Sequence, residues 1–209
     1  TDEDYIWLKD YLQLDGLVYK FVPIRNAIKK GGSPLDMGQI DSDKMYKIVK
    51  GWDWGNSDKD IFHDPETRKN SITFRTNLAR LTEKLIEEDK ITEAKEIIDL
   101  VLEKMPVDKF GYYTLLEPYI GFYYEVNEPE KAKALYNQLS TVYNDYLTSF
   151  GKLHNETQED LYVQIVTNIE RYRGILIQLK DYDPKQFDVE KEKFNLHIKR
   201  FARFQRDLE

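Results

Sequence analysis

The feature that most constrains this fold is a series of amphipathic helical patterns that runs from residue 64 almost to the end of the chain. Apolar residues recur there at intervals of three and four, which brings them to one face of an α-helix. Asp64 followed by Pro65 marks the first start, because Asp caps a helix and Pro suits its first turn. The stretches are joined by short turns, so consecutive helices are expected to form pairs. The sequence predicts an α-helical array over residues 64–209.

Residues 1–63 follow another pattern, in which Gly and Pro interrupt the periodicity. Residues 17–22 are rich in β-branched and aromatic side chains and predict a short strand. A short helix or turn is predicted over residues 5–12, and a loop over residues 29–34. Asp41, Ser42 and Asp43 offer candidate N-cap oxygens to a helix that follows them. We therefore predict an irregular N-terminal segment with a short strand and one or two short helices.

Two of the helical pairs are similar to tetratricopeptide repeats. Ala94 and Ala132 stand where that repeat places a small residue between two closely crossing helices. Tyr123 and Tyr136 fit aromatic positions of the second pair, and Pro106 closes the first. The two alanines are 38 residues apart, against about 34 in the standard repeat. The predicted fold class is mainly α, a degenerate tetratricopeptide-like hairpin array whose last pair is expected to cap it.

Two details inside this array are also predicted from single residues. Thr92 is expected to cap the second helix, because its hydroxyl can accept from a free backbone N–H. One helix is predicted over residues 112–126, and Pro118 inside it predicts a kink.

Charge and composition exclude several classes of function. The net charge is −7 and there is no Cys, which argues against nucleic-acid binding and removes disulfides and Cys-ligated zinc. No uncharged stretch approaches the roughly 20 residues of a membrane-spanning helix. The three histidines lack metal-ligand spacing. Neither a metal nor a cofactor is predicted.

Aromatic side chains are abundant, with 15 Tyr, 10 Phe and 3 Trp, and one cluster stands out. Trp52, Asp53, Trp54 and Asn56 lie within five residues, and this combination resembles a sugar-binding patch. Rings stack on a sugar while carboxylates and amides bind its hydroxyls. The alternative is that the two tryptophans anchor the irregular segment onto the first helix of the array.

A second aromatic cluster lies on the predicted helix over residues 112–126. Its candidate binding residues are Tyr112, Tyr113, Tyr119 and Tyr123. Tyr tolerates partial exposure, with its ring packed and its hydroxyl in water. These residues are a candidate lining for a groove that binds a peptide or a glycan. Packing between neighbouring helices is the alternative.

Catalytic residues are not indicated. His63 beside Asp64 resembles a base with its orienting carboxylate, but Asp64 is better explained as an N-cap. The chain has 38 acidic residues, so chance carboxylate pairs are common and no pair suited to glycoside hydrolysis is marked out. A free-standing hydrolase is therefore the least favoured of the functions considered.

Four sequence strings occur together in an arrangement that resembles a known family. They are residues 11–23, 51–56, 63–71 and 105–108. They resemble the C-terminal soluble region of a family of large bacterial polytopic membrane proteins, long catalogued as a domain of unknown function. The membrane part of that family is similar to the GT-C glycosyltransferases, which include protein O-mannosyltransferases.

The resemblance implies a location and a role. The chain would be the non-catalytic, extracytoplasmic tail of a membrane glycosyltransferase, at the periplasmic face of the inner membrane. There it would bind the acceptor protein or a partner subunit. A glycan-binding module and a structural or oligomerisation domain are the alternatives. No catalytic residue is implied for this chain, because the catalytic acid of such enzymes lies between membrane helices.

Overall fold

A computed structural model describes residue 8, residues 10–25 and residues 37–207, with the backbone alone for residues 205–207. The described chain is mainly α-helical with one small sheet near its start, which confirms the predicted class and the irregular N-terminal segment. Half of the predicted helix or turn over residues 5–12 lies outside the described residues, and the predicted loop over residues 29–34 lies wholly outside them. The chain divides into two compact units between Leu115 and Leu116. The predicted boundary after residue 63 falls inside the first unit, directly before its longest helix.

The elements are listed here in chain order. The first unit contains β1 (Leu12–Asp15), β2 (Val18–Phe21), α1 (Ser42–Lys50), α2 (Pro65–Glu87), α3 (Ile91–Lys104) and α4 (Val107–Phe110). A 3₁₀ helix (Tyr113–Leu116) spans the division. The second unit contains α5 (Glu117–Glu125), α6 (Pro129–Phe150), α7 (Asn155–Asp160), α8 (Tyr162–Tyr182), α9 (Pro184–Arg200) and a final 3₁₀ helix (Ala202–Asp207).

The two strands form an antiparallel hairpin in which Asp15 lies opposite Val18. Gly16 opens the two-residue turn with a φ of +72°, a conformation that such hairpin turns require and that Gly adopts readily. On its other edge β1 bonds to Gln39, whose carbonyl accepts from the N–H of Leu14 at 2.8 Å. The predicted strand is confirmed as β2. Its partner β1 was not predicted, although the hydrophobic Leu12 and Leu14 alternate before a glycine, as in a strand ending at a turn.

Local capping signals set the starts of α1 and α2. Asp41 accepts from the N–H of Lys44 at 3.1 Å, and Asp64 accepts from the N–H groups of Glu66 and Thr67. The predicted cap at Asp64 is confirmed, and of the three candidates at the start of α1 the cap is Asp41. The predicted cap at Thr92 is wrong, because α3 begins at Ile91 and its N-cap is Lys90, without a side-chain bond.

The reason lies in the turn between α2 and α3. Asp89 adopts a left-handed φ of +59°, and the N–H of Lys90 returns to the carbonyl of Leu85 at 2.9 Å. Backbone bonds of this kind close a helix end. They also fix where the next helix begins, before Thr92 is reached.

The core of the first unit lies between α2 and α3, which pack side by side. Its members are fully buried apolar side chains: Leu78, Leu81, Leu85, Ala94, Ile97, Ile98 and Val101. α1 packs on α2 and adds Met45 and Val49. Burial of each large aliphatic side chain contributes roughly 1.5–3 kcal/mol, so this face of α2 is what holds the unit together.

The predicted continuous helix over residues 112–126 is wrong. The chain forms a 3₁₀ turn and then begins α5 at Glu117. Pro118 therefore stands in the first turn of a helix rather than inside one. Its missing N–H costs nothing there, so no kink is needed.

Aromatic rings dominate the core of the second unit, where α6 packs on α5 and α8 and α8 packs on α9. Tyr119, Tyr136, Tyr143 and Tyr172 are buried. Tyr143 stacks on Tyr172 with ring centroids 6.0 Å apart. The hydroxyl of Tyr143 donates to the carboxylate of Glu117. Much of the tyrosine content therefore serves helix packing.

Burial shifts the pKa of Glu117 and of His197 in the second unit. Burial raises the pKa of the Glu117 carboxyl above its ordinary value, although Tyr143 and Arg171 oppose the shift. Burial lowers the pKa of His197, and the positive charge of Arg200 adds to that effect. The Nε2 atom of His197 lies 2.9 Å from Oδ1 of Asn144, so this imidazole belongs to the packed interior.

Helical pairs occur where the sequence predicts them, in α2 with α3 and in α5 with α6. Ala94 and Ala132 are both fully buried, as close helix crossings require. The tetratricopeptide-like arrangement of these pairs stays a prediction. Within the described residues, no helix is both long and apolar enough to cross a membrane.

Candidate functional site

Three aromatic rings meet beside the start of α2. Trp52 and Trp54 follow the C-terminal end of α1 and contact Phe74 of α2. Their ring centroids lie 5.4 and 5.5 Å from that of Phe74. The two indoles are 5.5 Å apart at an interplanar angle of 63°. Tilted and edge-to-face contacts of this kind are favourable for aromatic pairs. All three rings are half-buried, so they both anchor the segment and remain partly accessible.

The segment that carries the tryptophans is shaped by its own polar groups. Oδ1 of Asp53 accepts from the N–H of Gly55 at 2.8 Å, and Gly55 has a φ of +55°. The N–H of Ser57 then returns to the carbonyl of Trp54 at 3.1 Å. Asp53 therefore holds the turn that separates Trp54 from the residues after it.

These rings form part of the wall of a cavity of about 610 Å³ in the first unit. Apolar side chains in the wall are Leu17, Trp52, Trp54, Ile61, Phe62, Phe74, Met105 and Phe110. Polar side chains in the wall are Asp53, Asn56, Ser57, His63, Asp64, Thr67, Asn70 and Ser71. The wall thus combines apolar and aromatic side chains with polar ones, and its volume is in the range of small-molecule sites.

One polar side of the cavity is the first three turns of α2. Thr67, Asn70, Ser71 and Phe74 follow the spacing i, i+3, i+4, i+7 and so share a helix face. Small hydroxyl and amide side chains leave space beside the helix where larger ones would fill it. Sequence reasoning missed this face, although the spacing of the small polar residues before an aromatic was a readable signal.

The part of the wall that contains Met105 and Phe110 is positioned by the fully buried Arg75. Its Nη2 donates to the carbonyl of Met105 at 2.6 Å. Its Nη1 donates to the carbonyls of Gly111 and Tyr112 at 2.6 and 3.1 Å. One guanidinium thereby connects α2 to both ends of the segment that carries Phe110. Because Met105 and Phe110 line the cavity, Arg75 sets the position of that wall from behind.

The loop at the rim is tethered by two lysines. Nζ of Lys104 lies 2.6 Å from a carboxylate oxygen of Asp58, and Nζ of Lys109 donates to the backbone carbonyl of Asp58 at 3.1 Å. The hydrogen bond from Lys104 lowers the pKa of the Asp58 carboxyl. This loop presents Ile61 and Phe62, which are 50 % and 84 % exposed, beside the cavity.

His63 and Asp64 lie together at the cavity, but they do not act as a base and its orienting acid. Asp64 accepts from two backbone N–H groups and from the hydroxyl of Thr67. The Thr67 hydroxyl and these N–H groups lower the pKa of Asp64, so its carboxylate is ionised and its oxygens are engaged by the helix cap. His63 instead stacks on Phe110, with centroids 4.7 Å apart and an interplanar angle of 29°.

The four tyrosines proposed for binding are not brought to this cavity. Tyr119 and Tyr123 are buried in the second unit, which favours the packing interpretation for both. Tyr112 is 40 % exposed with a left-handed φ of +46°, and Tyr113 is half-buried in the 3₁₀ turn. The candidates Trp52, Asp53, Trp54 and Asn56, by contrast, all line the cavity.

In the part of the chain that the structure describes, no group of three or more His, Asp or Glu side chains is placed to hold a metal ion.

Comparison with known proteins gives one family match. Residues 1–44 match the model of TMEM260-associated domain 2, which is about a fifth of the chain. This fits the expectation of a domain associated with a membrane protein. No curated protein and no solved structure matches the chain. Similarity to the GT-C glycosyltransferases therefore remains an expectation from sequence strings.

The matched segment contributes directly to the candidate site. It contains the hairpin, and Leu17 in the hairpin turn lines the cavity. Asn77 of α2 donates to the carbonyl of Gly16 at 2.9 Å. The hairpin is thereby held against α2, beside the ring of Trp52.

Proposed function

We propose that the first unit is a non-catalytic carbohydrate-binding module and that its aromatic cavity binds a saccharide. The observation that carries the proposal is the joint presence of Trp52, Trp54 and Phe74 with amide and hydroxyl side chains around one cavity. The apolar faces of pyranose rings pack on aromatic rings, and their hydroxyls need hydrogen-bonding groups. Both kinds of group stand in this wall.

Charge narrows the class of ligand. The wall contains the carboxylates of Asp53 and Asp64, and no Lys or Arg of the described chain is among its residues. Anionic ligands such as uronic acids and sugar phosphates would be repelled at short range. Neutral saccharides are therefore the ligands to which we assign the site.

Trp54 is the residue with which to test this proposal, because Trp52 also supports the hairpin. We expect Trp54→Ala to weaken saccharide binding about tenfold to hundredfold, through loss of a large aromatic contact in the cavity wall. Trp54→Phe retains a ring and should lose less. Isothermal titration calorimetry with neutral gluco-, manno- and N-acetylglucosamine oligosaccharides measures the effect.

The matched control is Tyr146→Ala, which removes an exposed aromatic ring in the second unit and should leave binding unchanged. The proposal would be abandoned if the folded wild-type chain bound none of these saccharides at millimolar concentration. It would also be abandoned if Tyr146→Ala weakened binding as much as Trp54→Ala.

We further propose that the chain is the extracytoplasmic tail of a membrane glycosyltransferase, where it binds the acceptor protein or a partner subunit. Two observations support this setting: the joint sequence strings and the match of residues 1–44 to TMEM260-associated domain 2. A saccharide site in such a tail would hold an acceptor that already carries sugar. On this proposal the domain lies at the periplasmic face of the inner membrane.

Deletion of this domain from the parent protein tests the setting. We expect acceptor glycosylation to fall, and the isolated domain added in trans to restore part of it, because the tail would position the acceptor. Mass spectrometry of the acceptor measures both. The matched control is a deleted parent supplied with the Trp54→Ala domain, which separates a role of the cavity from a role of the rest of the surface. Unchanged glycosylation after deletion would rule out the positioning role.

A further inference from the structure

We propose that the buried imidazole of His63 forms a hydrogen bond, through its Nε2 atom, with a hydroxyl group of the saccharide. This inference rests on the proposed saccharide site and names the residue that gives the site its polar specificity. Three observations carry it: the burial of His63, the state of Nε2 and the fixed plane of the ring.

The first two observations concern an unmet hydrogen bond. His63 is only 8 % exposed and lines the cavity. Its Nε2 is buried and has no hydrogen-bond partner among the residues that the structure describes. Buried polar atoms in native proteins nearly always have a partner. Because Nε2 is covered in the unliganded chain, a ligand in the cavity would supply a partner after a small shift of the ring within its own plane. An imidazole nitrogen either donates to or accepts from a hydroxyl.

The third observation is that the ring is held before any ligand arrives. It stacks on Phe110 at a centroid distance of 4.7 Å, and Phe110 belongs to the segment that Arg75 binds at Met105 and Gly111. The carboxylate of the neighbouring Asp64 caps α2 and accepts from backbone N–H groups there. It is therefore already hydrogen-bonded away from the imidazole. A preorganised polar group loses little entropy on binding and therefore adds selectivity.

The test compares two substitutions that separate the ring from its nitrogen. His63→Phe keeps a ring to stack on Phe110 but has no polar atom, and we expect it to weaken binding of a neutral oligosaccharide about tenfold. His63→Gln places an amide near the position of Nε2 and should recover most of that affinity. His154→Phe, at an exposed histidine of the second unit, is the matched control and should bind as the wild type.

A second readout follows the imidazole itself. The chain has three histidines, so NMR of the ring Cε1–H protons gives few signals. Variants of His154 and His197 assign two of them, and the remaining signal belongs to His63. We expect saturating oligosaccharide to shift the His63 signal and to leave those of His154 and His197 in place. This measurement does not depend on the folding of any His63 variant.

The outcomes separate this inference from the proposed function. Suppose that Trp54→Ala weakens binding, that His63→Phe does not, and that the His63 signal stays in place. The site then binds saccharide, and His63 forms no hydrogen bond with it. The role of His63 is then its stacking contact with Phe110. If the folded wild type binds no saccharide, both proposals are overturned. Loss in His63→Phe with recovery in His63→Gln supports the assignment.

Discussion

Replacing Arg75 with Ala is expected to lower the free energy of unfolding of the first unit by about 3–5 kcal/mol. The fully buried guanidinium donates to the carbonyls of Met105, Gly111 and Tyr112. Its removal leaves those carbonyls without these donors, at about 1–3 kcal/mol for each one that stays buried. A side-chain cavity adds to the loss. Arg75→Lys is expected to recover little, because one ammonium does not have the fork of a guanidinium.

Urea denaturation followed by tryptophan fluorescence measures this effect. All three tryptophans of the chain, Trp7, Trp52 and Trp54, precede residue 116, so their emission reports the first unit. Arg80→Ala is the matched control, since Arg80 is half-buried and its Nη2 donates to the carbonyl of Gly38 at 2.9 Å. That variant should lose about 1 kcal/mol or less. Equal losses in both variants would show that Arg75 does not brace the wall.

Replacing Gly16 with Ala is expected to destabilise the first unit by about 2–4 kcal/mol and to displace the indole of Trp52. Two costs combine. The φ of +72° carries a penalty of roughly 1–2 kcal/mol for a residue with a Cβ. The added Cβ would also lie 2.7 Å from Cζ2 of Trp52, and overpacking of this kind costs about 1–3 kcal/mol.

Gly55→Ala separates the two costs. Gly55 also has a left-handed φ, of +55°, but a Cβ there would meet no atom within 4 Å. Its loss should therefore be the backbone penalty alone, roughly 1–2 kcal/mol. The same urea titration, with the wavelength of maximum emission as a second readout, measures both variants. If Gly16→Ala proved no worse than Gly55→Ala, Trp52 would not be packed against the hairpin turn.

Features encoded by adjacent residues were predictable from the sequence. The caps at Asp41 and Asp64 act within three residues of themselves, and the apolar spacing of α2 needs no knowledge of its partner. Thr92 shows the limit of such reasoning. Its own chemistry suits a cap, but a backbone bond between Leu85 and Lys90 had already fixed the start of α3.

The candidate site was predictable only in part. Trp52 and Trp54 stood out because they are close in sequence. Phe74 and Phe110 line the same cavity only through tertiary packing. The residues next to them in the sequence give no indication of that packing. Arg75 was harder still, because an Arg in a helix ordinarily indicates a solvated face, whereas here it is fully buried.

The segment that matches the known domain does not coincide with a separable piece of this molecule. Residue 44 lies inside the first turn of α1, the strand β1 is bonded to Gln39, and the hairpin turn is bonded to Asn77 of α2. A truncated protein that ends at that residue would lose the partner of its own turn, and one that begins after it would lack a cavity wall. Fragments for expression, crystallisation or display should therefore keep the hairpin and α2 on one polypeptide.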